Sequence, residues 1–302
     1  MDLEKILIIP SKSRYECELE KYGAEERARE KYVPQLWQSL RSGHLAQKNN
    51  LTKIRMLFHP EQIMDRSGLI SSAIDEYDAF VFLGGDNHFT YCSQMVLRYL
   101  QENPEKQKAV LGVVLDPKRS WGGQLNFTID DFINYLPQIQ KNRFEVEKWA
   151  ALETVVRRGE KSSSMYPAIN EIFAGETKRW AMSRNYVYLD GKEIFPDKSS
   201  GLLIATGTGS GNGSWYDNVH AVTFGESDAF PRTAEYARVI LTEHKSRSKK
   251  MLHKGQVLTI FSSNDDTGII LPDSHEERAI SFPMGAVAEI KISSVSLPVV
   301  RK

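Results

Sequence analysis

Phe80-Val81-Phe82-Leu83-Gly84-Gly85-Asp86-Asn87-His88-Phe89 is the stretch from which the rest of the chain is read. Residues 79–83 form a short apolar run that reads as a buried strand. After it, Phe89, Cys92, Met95, Val96, Tyr99 and Leu100 recur at helical intervals, and Asn103-Pro104 supplies a stop. Gly84-Gly85-Asp86 therefore joins strand to helix. The two glycines let backbone N–H groups approach phosphate oxygens without a Cβ in the way, and the helix N-terminus adds a favourable dipole. A carboxylate at Asp86 repels phosphate unless it accepts a proton or holds a metal ion, so its charge points to a chemical role. The same letters suit a tight turn with Asp86 capping the helix, and spacing alone does not choose between the two.

Residues 6–9, 54–58 and 110–115 also read as buried strands, so the first half is α/β with a parallel sheet. Residues 15–45 are charged, with Leu36, Trp37 and Leu40 in helical spacing, and supply helices that cover it. Beyond about residue 141, β-branched and aromatic runs alternate with turn signals: Asp190-Gly191 reads as a hairpin turn after 186–189, and 201–206, 257–261, 268–271 and 286–292 read as strands of a sandwich or layered sheet. Residues 230–244 read as one helix, and the basic stretch 246–250 as a solvated loop. The expected organisation is an α/β domain over 1–140, with residues 294–302 packing back on it, and a β-rich domain over 141–293.

The 302 residues are 41% hydrophobic and 26% charged, within the globular range and enough for two cores. Lys plus Arg and Asp plus Glu each number 39, so no net field draws the molecule to nucleic acid or an anionic membrane, and the expected ligand is small. Cys17 and Cys92 fit neither a disulfide framework nor a cysteine metal site, which suits a reducing cytosol. Ile6-Leu7-Ile8-Ile9 is too short to span a bilayer, and the start of the chain lacks the Arg-rich character of a transit peptide, so a cytoplasmic location is expected.

Two further segments carry chemistry. Asn170-Glu171, at the edge of an apolar run, offers an amide and a carboxylate that together can grip vicinal ribose hydroxyls. Ala205-Thr206-Gly207-Thr208-Gly209-Ser210-Gly211-Asn212-Gly213-Ser214-Trp215 follows a strand with glycines and hydroxyls; its abrupt composition favours a ligand loop over a flexible surface connection.

In this order and spacing the three segments resemble NAD kinases, whose hallmarks are a Gly-Gly-Asp-Gly loop, an Asn-Glu pair and a Thr-Gly-Ser loop. Ser13-Arg14-Tyr15-Glu16, Asp116-Pro117-Lys118-Arg119-Ser120 and Ser199-Ser200-Gly201-Leu202 look most like the mitochondrial type. The resemblance implies a Rossmann-like N-terminal domain, a β-sandwich-like C-terminal domain, a nucleotide site in the cleft between them, and a homodimer or homotetramer. It implies ATP with Mg2+ (or Mn2+) as donor, NAD as acceptor, and transfer to the adenosine 2′-hydroxyl. Asp86 is then base or orienter, with His88 sharing proton handling. Gly84, Gly85, Asn87, Asn170, Glu171, Thr206, Gly207, Thr208, Gly209, Ser210, Asn212 and Ser214 are expected to contact nucleotide, and Arg14 and Arg119 phosphate; no protein-held metal is expected. The chain departs from the pattern at Asn87-His88, where the family has Gly then Thr, at Gly213, where it has an aromatic residue, and at Asp273-Ser274, where it has Asp-Gly. Two other readings are a kinase of the same fold with another nucleoside, dinucleotide or alcohol acceptor, and a catalytically weak nucleotide sensor.

Overall fold

The structure, a computed structural model, describes residues 1–302 except 121, 179, 196, 197 and 212. The chain divides into two units, Met1–Cys92 with Lys108–Val146 and Val300–Lys302 forming the first, and Ser93–Gln107 with Glu147–Val299 forming the second.

In the first unit β1 (Ile6–Pro10), β2 (Ala79–Gly84) and β3 (Ala109–Val114) pair in parallel, Ile6 opposite Ala79 and Ala79 opposite Ala109. β2 and β3 are buried at every residue, which explains their unbroken apolar runs: a parallel sheet is covered on both faces. A short β4 (Phe127–Thr128) lies beside β3, and β5 (Glu145–Trp149) belongs to the same sheet. The helices are α1 (Arg14–Tyr22), α2 (Glu25–Arg29), α3 (Pro34–Arg55), α4 (Ser71–Glu76), α5 (Asp86–Glu102), which begins in this unit, and α6 (Ile129–Gln140). Ile6, Ile8, Val81, Leu83, Leu111 and Val113 form the core with Ile54, Phe58, Phe132 and Ile139.

Residues 54–58 are not a strand. α3 runs to Arg55, and the Phe58 N–H still donates to the Ile54 carbonyl, 3.1 Å away, so both side chains enter the core with helical spacing. A short apolar run without Gly or Pro carries no period of its own, and here the helix before it continued through it. The parallel bridge to Ile8 comes instead from Ile63.

The second unit contains β6 (Leu152–Arg158), β7 (Lys161–Ser164), β8 (Glu171–Glu176), β9 (Ser183–Leu189), β10 (Lys192–Phe195), β11 (Lys198–Ser199), β12 (Leu202–Ala205), β13 (Tyr236–Leu241), β14 (Lys249–His253), β15 (Leu258–Ser262), β16 (Gly268–Pro272), β17 (Ile280–Ser281) and β18 (Val287–Ile292). They form two antiparallel sheets, one of order β10-β9-β15-β18-β6-β7 with β11 on β9, the other β14-β13-β12-β8-β16-β17. Ile172, Ala174, Leu202, Ile204, Ala237 and Val239 of the second sheet meet Leu152, Val156, Val187, Leu258, Ile260, Ala288 and Ile290 of the first. The alternate residues Phe173, Leu203, Ala205 and Ile240 face Tyr216, Val219 and Phe224 of α7 (Trp215–Phe224). One sheet thus buries both of its faces. The Asp190-Gly191 turn holds both residues at positive φ, 47° and 79°, as a tight hairpin between β9 and β10 requires.

Residues 230–244 are not a helix. β13 occupies their centre, Ala205 opposite Arg238 and Leu202 opposite Leu241, because Ala237, Val239 and Ile240 divide between two buried faces with a period of two. The basic stretch 246–250 ends inside β14 rather than in a loop. β19 (Leu297–Arg301) follows β3 in the order of the first sheet.

Candidate active site

The parallel strands of the first unit end together, and the segments after them carry the polar residues expected at the carboxyl edge of an α/β sheet. After β1, Ser13 caps α1: its Oγ accepts the Glu16 N–H at 3.2 Å while its own N–H donates to the Glu16 carboxylate at 2.8 Å. Gly84 ends β2 and Gly85 follows it; a Cβ there would meet Ser11 Oγ at 2.8 Å and Ser120 Oγ at 3.0 Å respectively. The glycines therefore let the loops after β1, β2 and β3 approach one another.

Asp86 opens α5, where the helix dipole favours a negative charge. Its Oδ1 accepts the Gln124 N–H at 2.8 Å and its Oδ2 the Gly123 N–H at 3.1 Å. A carboxylate has about four lone-pair positions, so these two bonds leave it further acceptor capacity. Gly123 and Gln124 escaped the sequence reading; the Gly122-Gly123 pair was their only mark.

Asn87 is exposed and His88 is buried. His88 Nε2 lies 2.9 Å from the Ile9 carbonyl, which only accepts, so the ring donates Nε2–H to it. Burial pushes the imidazole down to about 4, so it stands neutral. His88 is thus tethered to the backbone of β1 through the Ile9 carbonyl. Arg14 is largely exposed and its Nε pairs with Glu18 at 2.9 Å. Arg119 reaches Asp116 at 3.0 Å through Nη1 and Ser42 Oγ at 2.7 Å through Nη2.

The second unit gathers the remaining candidates. In the antiparallel register Ala205 stands opposite Glu171, which sets the start of β8 beside the end of β12. The Asp273 N–H donates to the Glu171 carbonyl at 2.8 Å, bringing the turn after β16 to the same edge. Thr206, Gly207, Thr208, Gly209 and Ser210 are all buried, so this is a packed turn and no flexible surface connection. Thr206 Oγ1 donates to the Ile169 carbonyl at 2.5 Å and accepts the Thr208 N–H at 3.1 Å. Ser210 Oγ donates to the Gly207 carbonyl at 2.9 Å and accepts the Phe230 N–H at 3.0 Å. A Cβ on Gly207 would lie 2.0 Å from the Pro231 carbonyl oxygen, and one on Gly209 2.3 Å from that of Asn170, so these two glycines are needed for close backbone packing. Ser214 caps α7 by accepting the Asp217 N–H at 3.0 Å. Asn212 lies outside the described residues.

Asn170 and Glu171 are buried. Burial first, then the neighbouring Asp273, pushes the Glu171 carboxyl up to about 8, and the Tyr216 N–H and the Ser274 side chain bond to it. Glu171 Oε2 and Thr208 Oγ1 are buried without a protein partner. An unsatisfied buried polar group costs about 1–3 kcal/mol, so both oxygens call for a partner. Among the described residues no group of three or more His, Cys, Asp or Glu side chains is placed to hold a metal ion, and no helix is long and apolar enough to cross a membrane.

No family model matches the chain. Among curated proteins it is similar to the NAD kinase of Yersinia pestis, 29% identical over 146 residues that make up 48% of this chain and 46% of that protein. The chain thus spans about half the length of that relative. It is also similar to the NAD kinase of Shewanella halifaxensis (strain HAW-EB4), 23% identical over 228 residues, 70% of this chain and 69% of that protein. Among solved structures, yeast NADH kinase complexed with NADH covers 99% of this chain and 83% of its own, with a TM-score of 0.65 and 14% identity. An NAD kinase from Archaeoglobus fulgidus in complex with ATP covers 98% and 92%, with a TM-score of 0.59 and 14% identity. The fold is that of the NAD kinases.

Proposed function

We infer that this chain is an NAD kinase, transferring the γ-phosphoryl group of ATP to the adenosine 2′-hydroxyl of NAD to give NADP. The observation that carries the reading is Asp86, a carboxylate with spare acceptor capacity set at a helix N-terminus beside Gly84-Gly85, in a fold shared with NAD kinases.

Asp86 accepts the hydroxyl's hydrogen bond and orients its oxygen toward the γ-phosphorus. A ribose hydroxyl is a far weaker acid than a carboxylic acid, so its proton moves late, as the new O–P bond forms, and Asp86 acts chiefly by orientation. Phosphoryl transfer is mainly positioning and charge neutralisation. Gly84 and Gly85 bring N–H groups to the phosphates, with Arg14 and Arg119 as candidate cations, while Asn170, Glu171 and the 206–214 loop hold the sugar. A divalent ion carried by ATP would supply neutralisation of the phosphate charge. His88 serves by fixing the first turn of α5 to β1. The likeness of Ser13-Arg14-Tyr15-Glu16 and Asp116-Pro117-Lys118-Arg119-Ser120 supports the mitochondrial type of sequence. A homodimer or homotetramer and a cytoplasmic location complete the reading.

Purified protein with ATP and Mg2+ is expected to convert NAD or NADH to the 2′-phosphorylated product, read by phosphorus NMR. Asn87 favours one second reading, because its exposed side chain adds bulk beside Asp86. If neither dinucleotide is phosphorylated, a thermal-shift screen over nucleosides and dinucleotides separates a changed acceptor, which raises the melting temperature, from an inert site.

A further inference from the structure

Asp273 closes β16 with a left-handed backbone, φ 50°, and Ser274 after it is left-handed at 59°. A residue other than glycine is strained there and persists only where its surroundings hold it. The Asp273 carboxylate is what they hold. Its Oδ1 accepts the N–H groups of Asn170 at 2.7 Å and Glu171 at 3.0 Å, and the Ile169 N–H reaches Oδ2 at 2.9 Å. Gln94 Nε2 donates to Oδ2 at 2.6 Å, and the Gln94 carbonyl accepts from the Arg278 guanidinium, which lies 4.2 Å over the Tyr166 ring. Three consecutive N–H groups converging on one buried carboxylate fix the backbone of 169–171.

We propose that Asp273 is a positioning residue for nucleotide binding: by gathering the N–H groups of 169–171 it sets where Asn170 and Glu171 are presented to the ribose of the acceptor. The role rests on the function inferred above. Asp273 acts on Glu171 as a like charge, whereas Tyr216 N–H and Ser274 reach it as neutral partners. Asp273 itself is pushed up to about 6 by burial, against the hydrogen bonds from Ile169, Asn170, Gln94 and Glu171 that favour its charged form. With these donors Asp273 takes the charge and Glu171 the proton.

The test is Asp273→Asn in the full chain. KM for NAD is expected to rise about tenfold with kcat changed less than about threefold. The inflection of KM with pH that Glu171 produces above neutrality is expected to move down by about one unit once the like charge is gone, a change that loosened packing alone would not give. A folded variant whose KM and inflection match wild type overturns the proposal. Should wild type leave NAD untouched, the functional reading fails, and hydrogen exchange still tests Asp273. The amides of 169–171 are then expected to exchange at least about tenfold faster in the variant, and unchanged exchange overturns its role. If Asp273→Asn does not fold, Gln94→Met removes one donor from the carboxylate and keeps the backbone contacts. The inflection then moves in the same direction, and its failure to move overturns the proposal.

Discussion

Asp86 spends two acceptor positions on the Gly123 and Gln124 N–H groups, so replacing it tests more than chemistry. Asp86→Asn turns an amide NH2 toward one of those donors, and an unmatched buried donor costs about 1–3 kcal/mol. A lowered melting temperature is therefore expected beside a fall in kcat of about a hundredfold or more, with NAD affinity within about threefold of wild type. Steady-state kinetics and calorimetry on one preparation separate the effects, and full turnover in the variant refutes the role given to Asp86. His88 makes a different prediction. Its folded-state value of about 4 lies below the ordinary 6.5, so the unfolded chain takes up the proton first. Stability is intact above 6.5 and falls as the pH drops toward 4, by roughly 3 kcal/mol in the limit. His88→Gln, which keeps a donor for the Ile9 carbonyl, is expected to flatten that fall in urea titrations. The sequence points His88 to proton handling, and its burial, four residues before Cys92 on one face of α5, comes from the structure. The use of Gly123 and Gln124 by Asp86 was not legible either, because a contact across 37 residues leaves no local trace.

Where two strands and a turn meet, the glycines of 206–214 differ in what they do. Gly209→Ala drives a Cβ to 2.3 Å from the Asn170 carbonyl oxygen, whereas Gly211→Ala meets only Ala229 Cβ at 3.5 Å. The first is expected to destabilise the protein by more than about 2 kcal/mol, the second by less than about 1. Chemical denaturation of both variants decides it. At the same edge Glu171 is raised from 4.5 to about 8, so the folded state binds its proton more tightly than the unfolded chain does. Its stabilising contribution is full below 4.5 and is lost as the pH rises toward 8. Glu171→Gln is expected to flatten the decline of melting temperature over that interval, and an unaltered slope would show that Glu171 is ionised throughout. Elements with two-sided burial, β2 and β3, were readable as apolar runs, as was the Asp190-Gly191 turn. Residues 54–58 and 230–244 were misread for opposite reasons: the first continues a helix begun twenty residues earlier, and the second is claimed by β12 and β14 on either side. Tertiary pairing decides such segments, and no local preference announces it.

At the scale of the molecule, the alternation of apolar runs with helical spacing and then with turn signals conveyed an α/β unit and a β unit, because each architecture imposes its own period along hundreds of residues. The path of the chain between them was less visible. Residues 93–107 leave the unit in which α5 begins, and residues 300–302 enter it from the far end of the sequence. There the Val300 carbonyl accepts from Asn126 Nδ2, and Lys302 Nζ bonds Asp131 Oδ1. A growing polypeptide must make all of the sandwich before it owns the residues that finish the unit begun first. Until residues 297–301 have been made, the edge of β3 that β19 covers in the finished sheet has no partner there.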